Sequence, residues 1–298
     1  MNVLSAVFTS TENARFFENF FKSYLEAEKN MRGVKNNGLL VVDFSSGNSV
    51  IQDKIEEIRK TSTNFNLIYY RHIPNNGFCD NFDYTIKFSK ELEPDCVFFF
   101  NDDIIISDVF MKNGVDSFKT SYNTDTAHFI GGVPQLGGWM EEIENMKMPK
   151  SIDKIQFINP YKRLNWEFSA CVFRTEVLYR IGYMDKMYSS KIGLNADNDY
   201  LIRMQRKNYR CIRDYSMRFL HSKAATQGRI RDAWKIMNGT DVHTLRAMNY
   251  LRLKWGFDTD PTKNYEPYKI PFNGKKCEVL DINTIKIGDE IIKLPEVI

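Results

Sequence analysis

The chain has 298 residues, 43% of them apolar and 14% aromatic, with a formal net charge of +3, enough for one large domain with a substantial core. No apolar run approaches the roughly 20 residues of a membrane span, and the start MNVLSAVFTSTENARFF lacks the basic and long apolar regions of a secretory leader, so a soluble, cytoplasmic protein without integral membrane contact is expected. The five cysteines, Cys79, Cys96, Cys171, Cys211 and Cys277, show no C-x-x-C spacing, which predicts reduced thiols rather than a disulfide framework or a zinc site.

Two periods alternate through the first hundred residues. VLSAVF (3–8) reads as a buried strand, and ARFFENFFKSYLEAEKN as a helix with Phe16, Phe17, Phe20, Phe21, Tyr24 and Leu25 on one face. GLLVVDF (38–44) is a second strand, NSVIQDKIEEIRK a helix facing inward through Ile51, Ile55 and Ile58, and FNLIYYR (65–71) a third strand. FCDNFDYTIKFSKEL sets Phe78, Phe82 and Ile86 at steps of four, and CVFFF (96–100) is the fourth strand. This alternation predicts βαβ units and an α/β, mainly parallel sheet flanked by helices. Ligands of such sheets bind outside the C-terminal strand ends, where Thr9, Ser10, Asp43 and the triplet Asn101-Asp102-Asp103 fall.

Further on, a helix is expected over 108–119, and AHFIGGVPQLGGW reads as a strand entering a loop rich in glycine (Gly131, Gly132, Gly137, Gly138). NWEFSACVFR (165–174) is a strand, and TEVLYRIG a short helix capped by Thr175 and stopped by Gly182. NADNDYLIRMQRKN (195–208) is helical, YRCIRD a strand, 229–255 largely helical, and the tail from Asp258 an extended arm.

Side-by-side carboxylates repel unless something neutralises them. A hard divalent cation does so through oxygen ligands, often shared with substrate phosphates; the alternative is that Asp102 and Asp103 cap a turn. Asp197, near a helix start with Asp199, is either a partner of the helix dipole or a general base that takes the proton of an attacking hydroxyl. His221, after the apolar MRFL, is either an ordinary histidine or a group beside a metal or phosphate. Residues 1–150 carry a net charge of −6 and residues 151–298 one of +9, with ten basic side chains against two acidic ones within 203–235. That stretch is a solvated face or a phosphate-binding surface, and with Tyr209 and Trp234 it would also suit a nucleic-acid backbone.

The order of these pieces resembles the nucleotide-sugar glycosyltransferases of GT-A fold, family 2 in particular, over residues 1–225. Residues 226–298 are then a helical and extended C-terminal region packed on that domain; NYLRLKWGFD…PYKIPFN within it is reminiscent of small family 2-like proteins, some from phages, and Trp255 there is read as packing. The resemblance of VVDFSSG implies that Asp43 and Ser45 contact the nucleoside, and NNGFCDNFDYTI matches the family's Asn-Gly…Asn helix start at Asn76, Gly77 and Asn81. FFFNDDI matches its metal motif, making Asn101 and Asp103 the pair for Mn2+ or Mg2+, with Asp103 the direct ligand and Asp102 between them on the donor side with Thr9. FSACVFRTEVLYRIGYMDKMY implies that Phe168, Ser169 and Ala170 line the sugar and acceptor pocket, with Trp166 and Trp139 as candidates to shape it or to pack in the core. ADNDYLIRM puts Asp197 on the base and Asp199 and Arg203 on its companions, although the family's preceding Glu is Ala196 here. His221 matches a late His near the metal or diphosphate.

The resemblance therefore implies metal-dependent, inverting transfer of a sugar from a nucleoside-diphosphate donor to an acceptor hydroxyl. The acceptor is a glycan or, as a second expectation, a hydroxymethylated DNA base flipped into the pocket, as in a phage-type enzyme of the host cytoplasm. A nucleotidyltransferase would carry a Gly-rich loop after the first strand, and TSTENARFF has no glycine; a non-catalytic nucleotide- or glycan-binding module is the other competing class.

Overall fold

The computed structural model of the chain describes residues 1–45, 50–61, 65–71, 77–124, 127–137, 140–158, 168–188, 195–222, 236–237, 240–255, 277–287 and 289–293. The first half runs β1 (Asn2–Thr9), α1 (Ala14–Lys29), β2 (Asn36–Asp43), α2 (Val50–Thr61), β3 (Asn66–Arg71), α3 (Phe78–Leu92) and β4 (Cys96–Asn101). Then follow β5 (Ile104–Ile106), α4 (Phe110–Thr124), β6 (Phe129–Gly137), α5 (Met140–Asn145), β7 (Ile155–Phe157), β8 (Ala170–Arg174), α6 (Thr175–Ile181), α7 (Ala196–Arg206) and β9 (Cys211–Ser222). The C-terminal part comprises β10 (Ile236–Met237), β11 (Thr240–Asp241), α8 (Val242–Trp255), β12 (Cys277–Asp281), β13 (Thr284–Ile287) and β14 (Glu290–Lys293).

Among the described residues, nine strands form one sheet in the order β3-β2-β1-β4-β8-β6-β9-β5, with β7 beside β9. The first four are parallel to one another. Beyond β4 the sheet is mixed: β8 is antiparallel to β4 and β6, whereas β6 and β9 are parallel. The α/β class is as expected, and the parallel βαβ part is its N-terminal half.

Continuous apolar strands follow from burial on both faces. Leu4, Ala6 and Phe8 of β1 join Val97 and Phe99 of β4 and Phe82 of α3 on one face, with Leu178 of α6, Tyr200 of α7 and Leu251 of α8. Val3, Val7, Phe98 and Phe100 point to the other face, against Phe17, Phe20 and Tyr24 of α1, Ile55 of α2 and Phe110 of α4. Fully burying one such phenylalanine contributes about 2–3 kcal/mol.

Only Asp102 and Asp103 separate β4 from β5, although three strands lie between them in the sheet order. Four strand spacings in a flat sheet cover about 19 Å, while three Cα steps reach at most about 11 Å. The sheet must therefore curl, bringing the end of β9 back to the end of β4. The two carboxylates sit at that crossing.

Several expectations change. Gly131 and Gly132 lie inside β6 rather than in a loop, because this segment is held between β8 and β9 with a register irregularity between Gly131 and Val133. A Cβ on Gly132 would come within 2.8 Å of Phe110, so close packing of α4 on the sheet explains that glycine. The strand expected over YRCIRD continues to Ser222, since β6 and β5 pair along its second half. Within the span expected to be helical, β10 pairs antiparallel with β11, Ile236 with Asp241 and Met237 with Thr240, and the helix starts at Val242. The tail is more than an arm: β12, β13 and β14 form a separate antiparallel sheet, tied to α8 where Asn249 Nδ2 donates to the Ile282 carbonyl at 3.3 Å.

Candidate active site

Strand register brings the polar ends of the first strands to one edge. Thr9 pairs with Asp43, Asp43 with Arg71, and Phe8 with Asn101. Asp43 is fully buried. Its Oδ1 accepts the Ser45 backbone N–H at 2.8 Å and the Ser45 hydroxyl, and its Oδ2 accepts the Tyr69 hydroxyl at 2.6 Å. Asp43 thus shapes the turn after β2, and Arg71 adds a hydrogen bond to the Ser45 carbonyl at 3.2 Å. Gly77 begins α3 with φ 93°, a conformation that L side chains rarely adopt. Asn81, whose N–H bonds the Gly77 carbonyl, keeps a buried Oδ1 with no hydrogen-bond partner. Asn76 lies outside the described residues.

At the centre, Asn101 donates its backbone N–H to the Ser169 carbonyl at 2.9 Å and its side-chain amide to the Ser169 hydroxyl at 3.4 Å. Asp103 is held from β9: the Ser222 N–H donates to its carbonyl at 3.0 Å, and His221 Nε2 lies 3.4 Å from its Oδ1. Register places His221 opposite both Ile104 and Leu136, and Phe219 flanks its ring at 6.2 Å. The Asp102 side chain is buried, and burial, reinforced by the adjacent Asp103 charge, pushes it up to about 7 against the pull of Thr9 and Asn13. Asp102 Oδ2 and Asp103 Oδ1 are buried without a hydrogen-bond partner. Phe168, Ser169 and Ala170 are all buried at the foot of β8, while Trp139 and Trp166 lie outside the described residues.

These residues fit a divalent cation in one respect and limit it in another. Buried, unsatisfied carboxylate oxygens are a standing cost that an ion would remove. Among the described residues, however, no group of three or more His, Cys, Asp or Glu side chains is poised around one point. A small oxygen set with one imidazole suits an ion that completes its shell with diphosphate oxygens and water.

The second acidic pair separates into two environments. Asp197 lies in the first turn of α7, after Asn195 in the left-handed region, and its Oδ1 accepts the Asn198 N–H at 2.8 Å. Its charge is felt at two buried thiols, Cys171 on β8 and Cys79 on α3, whose affinities for the proton burial already raises. Asp199 is fully buried and saturated, with Tyr188, Arg203, Lys254 and Trp255 all donating to it. Arg203 also donates to the Ile181 and Tyr183 carbonyls at 3.2 and 2.9 Å, and Arg206 stacks 4.4 Å from the Trp255 ring. Of the basic groups of 203–235, Arg203 is thus engaged inside the fold, whereas Arg206 meets Trp255 from an exposed position; residues 223–235 lie outside the described residues. Asp185, Tyr188 and Lys254 were missed by sequence reasoning; only the four-residue step from Asp199 to Arg203 signalled this network.

No helix among the described residues is long and apolar enough to cross a membrane. No protein-family model and no curated protein matches the chain. Solved structures do. The S. aureus TarS 1-349 complex with UDP-GlcNAc aligns over 92% of this chain and 71% of that one, at 14% identity and a TM-score of 0.56. The Pyrobaculum calidifontis mannosyltransferase PcManGT, in complex with GDP-Man and Mn2+, covers 91% of this chain and 67% of its own at 13% identity and a TM-score of 0.57. GalNAc-T7 with UDP, GalNAc and Mn2+ matches 85% of this chain at 9% identity and a TM-score of 0.53. The chain spans 43% of the longer S. aureus TarS structure it matches. At these identities the likeness concerns architecture: the chain has the GT-A fold, the Rossmann-like α/β fold of these nucleotide-sugar glycosyltransferases.

Proposed function

We propose that the chain transfers a sugar from a nucleoside-diphosphate donor to an acceptor hydroxyl, with inversion at the anomeric carbon. The observation that carries this is the meeting of Asn101, Asp103, Ser169 and His221 at the crossing of a GT-A sheet, with one buried oxygen of Asp102 and one of Asp103 lacking a hydrogen bond.

In this reading Asp103 would hold Mn2+ or Mg2+ with Asn101 and His221, and the bound ion supplies positive charge for the leaving diphosphate. Thr9, Ser45, Asn76 and Asn81 bind the donor, with Asp102 beside Thr9. Asp43, fully buried, acts through Ser45 and Tyr69, and Arg203 acts through Asp199. Phe168, Ser169 and Ala170, with Trp166, back the sugar pocket and keep water from the reacting carbon. Asp197 accepts the proton of the acceptor hydroxyl, which attacks the face opposite the leaving group. A glycan hydroxyl is the acceptor favoured here, since Arg203 is bound to Asp199 and to two backbone carbonyls rather than turned toward a polyanion.

The test is release of nucleoside diphosphate from a panel of nucleotide sugars with Mn2+ or Mg2+, comparing wild type, Asp103→Ala and Asp197→Asn. The expected result is metal-dependent release from one donor, lost in Asp103→Ala and slowed by on the order of 10²–10⁴-fold in Asp197→Asn. No release, together with no donor binding by calorimetry, would reject the transferase; a product of retained configuration would reject Asp197 as base.

A further inference from the structure

The end of α8 reaches back across the molecule to the helix that carries Asp197. Lys254 Nζ lies 2.7 Å from Asp199 Oδ1 and 2.6 Å from Asp185 Oδ2, and Trp255 Nε1–H donates to Asp199 Oδ1 at 2.8 Å. Asp199, Arg203 and Arg206 follow one another at steps of four and three on a single face of α7. Arg203 binds Asp199 and Arg206 stacks on Trp255, so the last two residues of α8 cover that face. Asp185 is fastened as well: Tyr250 donates to it at 2.8 Å and the Met187 N–H at 3.0 Å. Burial works against its charged form, yet Lys254, Met187 and Tyr250 together hold its carboxyl below the usual range. One ammonium thus joins a carboxylate before α7 to a carboxylate inside it, and Asp197 lies two residues from the second.

Packing alone does not require this arrangement. A buried ion pair is often no more stabilising than apolar residues of the same volume, but it fixes geometry through directional bonds. A helix start leaves N–H groups without the usual intrahelical partners; here the Asn198 N–H turns to Asp197 Oδ1 at 2.8 Å and the Asp199 N–H reaches back to the Asn195 carbonyl at 3.0 Å. Asp197 and Asp199 share that first turn, so what holds Asp199 also places Asp197.

We propose that Lys254 and Trp255 are positioning residues that set Asp197 for proton transfer by fixing Asp199. The proposal rests on the reading of Asp197 as the base. A displacement of about 1 Å at a reacting group costs on the order of 10²-fold in rate, so the effect belongs in kcat rather than in donor affinity.

The experiment compares wild type, Lys254→Met, Lys254→Arg, Trp255→Phe and Asp197→Asn. Readouts are kcat and donor KM in the release assay, donor affinity by calorimetry with Mn2+, and the thermal midpoint. Lys254→Met is expected to lower kcat about 10- to 100-fold, with donor KM and affinity within about twofold of wild type. Lys254→Arg, which restores charge and donors, is expected to recover most of that loss. Trp255→Phe keeps an aromatic face for Arg206 and removes the N–H with part of the indole ring; a kcat about three- to tenfold down is expected, and this milder change decides the matter if Lys254→Met does not fold. The proposal is overturned if kcat of the folded variants stays within about twofold of wild type, if kcat and donor affinity fall together, or if Arg at 254 is no better than Met. An active Asp197→Asn sinks the base reading by a separate measurement; an inactive Asp197→Asn beside a fully active Lys254→Met sinks the positioning role alone.

Discussion

Asp102 at the end of β4 and Asp199 on α7 are both buried, and Asp103 is half-buried beside the first, yet the fold treats the two sites in opposite ways. Asp199 has four side-chain donors from three parts of the chain. Asp102 and Asp103 each keep a buried oxygen without a hydrogen-bond partner, and Asp102 is pushed toward its neutral form by burial and by its neighbour. The difference teaches how to sort buried carboxylates: a saturated one belongs to the scaffold, and a pair that keeps orphaned oxygens at a sheet crossing is the one to test with a ligand.

The sharpest way to break this comparison is to remove the saturated carboxylate. Asp199→Ala takes one of its two carboxylates from Lys254 and removes an acceptor from three other donors, and a loss of about 3 kcal/mol of stability is expected in denaturant titrations; a loss below about 1 kcal/mol would mean that Asp199 is not the scaffold residue described here. The unsatisfied pair should instead respond to ligand. Mn2+ with nucleoside diphosphate at 100 times its dissociation constant should stabilise the wild-type protein by about 2.7 kcal/mol, read as a rise in thermal midpoint that Asp103→Ala lacks. An equal rise in that variant would remove Asp103 from the site. In the absence of ligand the sign reverses: Asp103→Asn relieves the repulsion on Asp102 and should stabilise the protein by about 1 kcal/mol near pH 8. A clear destabilisation would show that the His221 contact outweighs the repulsion.

The smallest effect tests a carboxylate between these extremes. Asp83 accepts the Met184 N–H and has Lys186 3.7 Å away, but burial still pushes it up to about 6. Its folded state binds more protons than the unfolded state between about pH 4 and 6. Stability therefore falls as pH rises through that window, and Asp83→Asn should flatten the fall by about 1 kcal/mol, a figure reduced because the group keeps some solvent access. Identical slopes for the two proteins in pH-dependent unfolding would show that Asp83 does not carry this dependence.

Much of the N-terminal half was legible because its signals are local. Alternating periods placed β1 through β4 and their helices within a residue or two, since a strand buried on both faces must be apolar and an amphipathic helix must repeat near 3.6. Asn101, Asp103 and His221 stood out because each interrupts or ends an apolar segment, and Asp197 because it pairs with Asp199 near a helix start. Gly131 and Gly132 misled because a glycine that admits a phenylalanine ring is indistinguishable in sequence from one that makes a loop. The end of β9 and the sheet of β12, β13 and β14 were underestimated because strands take their stability from distant partners.

By itself, then, the amino-acid order determined the α/β alternation, the two-faced core and the carboxylates at the strand ends, all of which depend on neighbours within a few residues. Only the tertiary structure decided which carboxylates have partners. Lys254 meets Asp199 across 55 positions of chain and His221 meets Asp103 across 118, and these meetings exist because the sheet must curl at Asp102 and Asp103 and α8 must fold back to cover α7. No local propensity encodes either contact, since their free energy comes from closing long loops onto an already formed core.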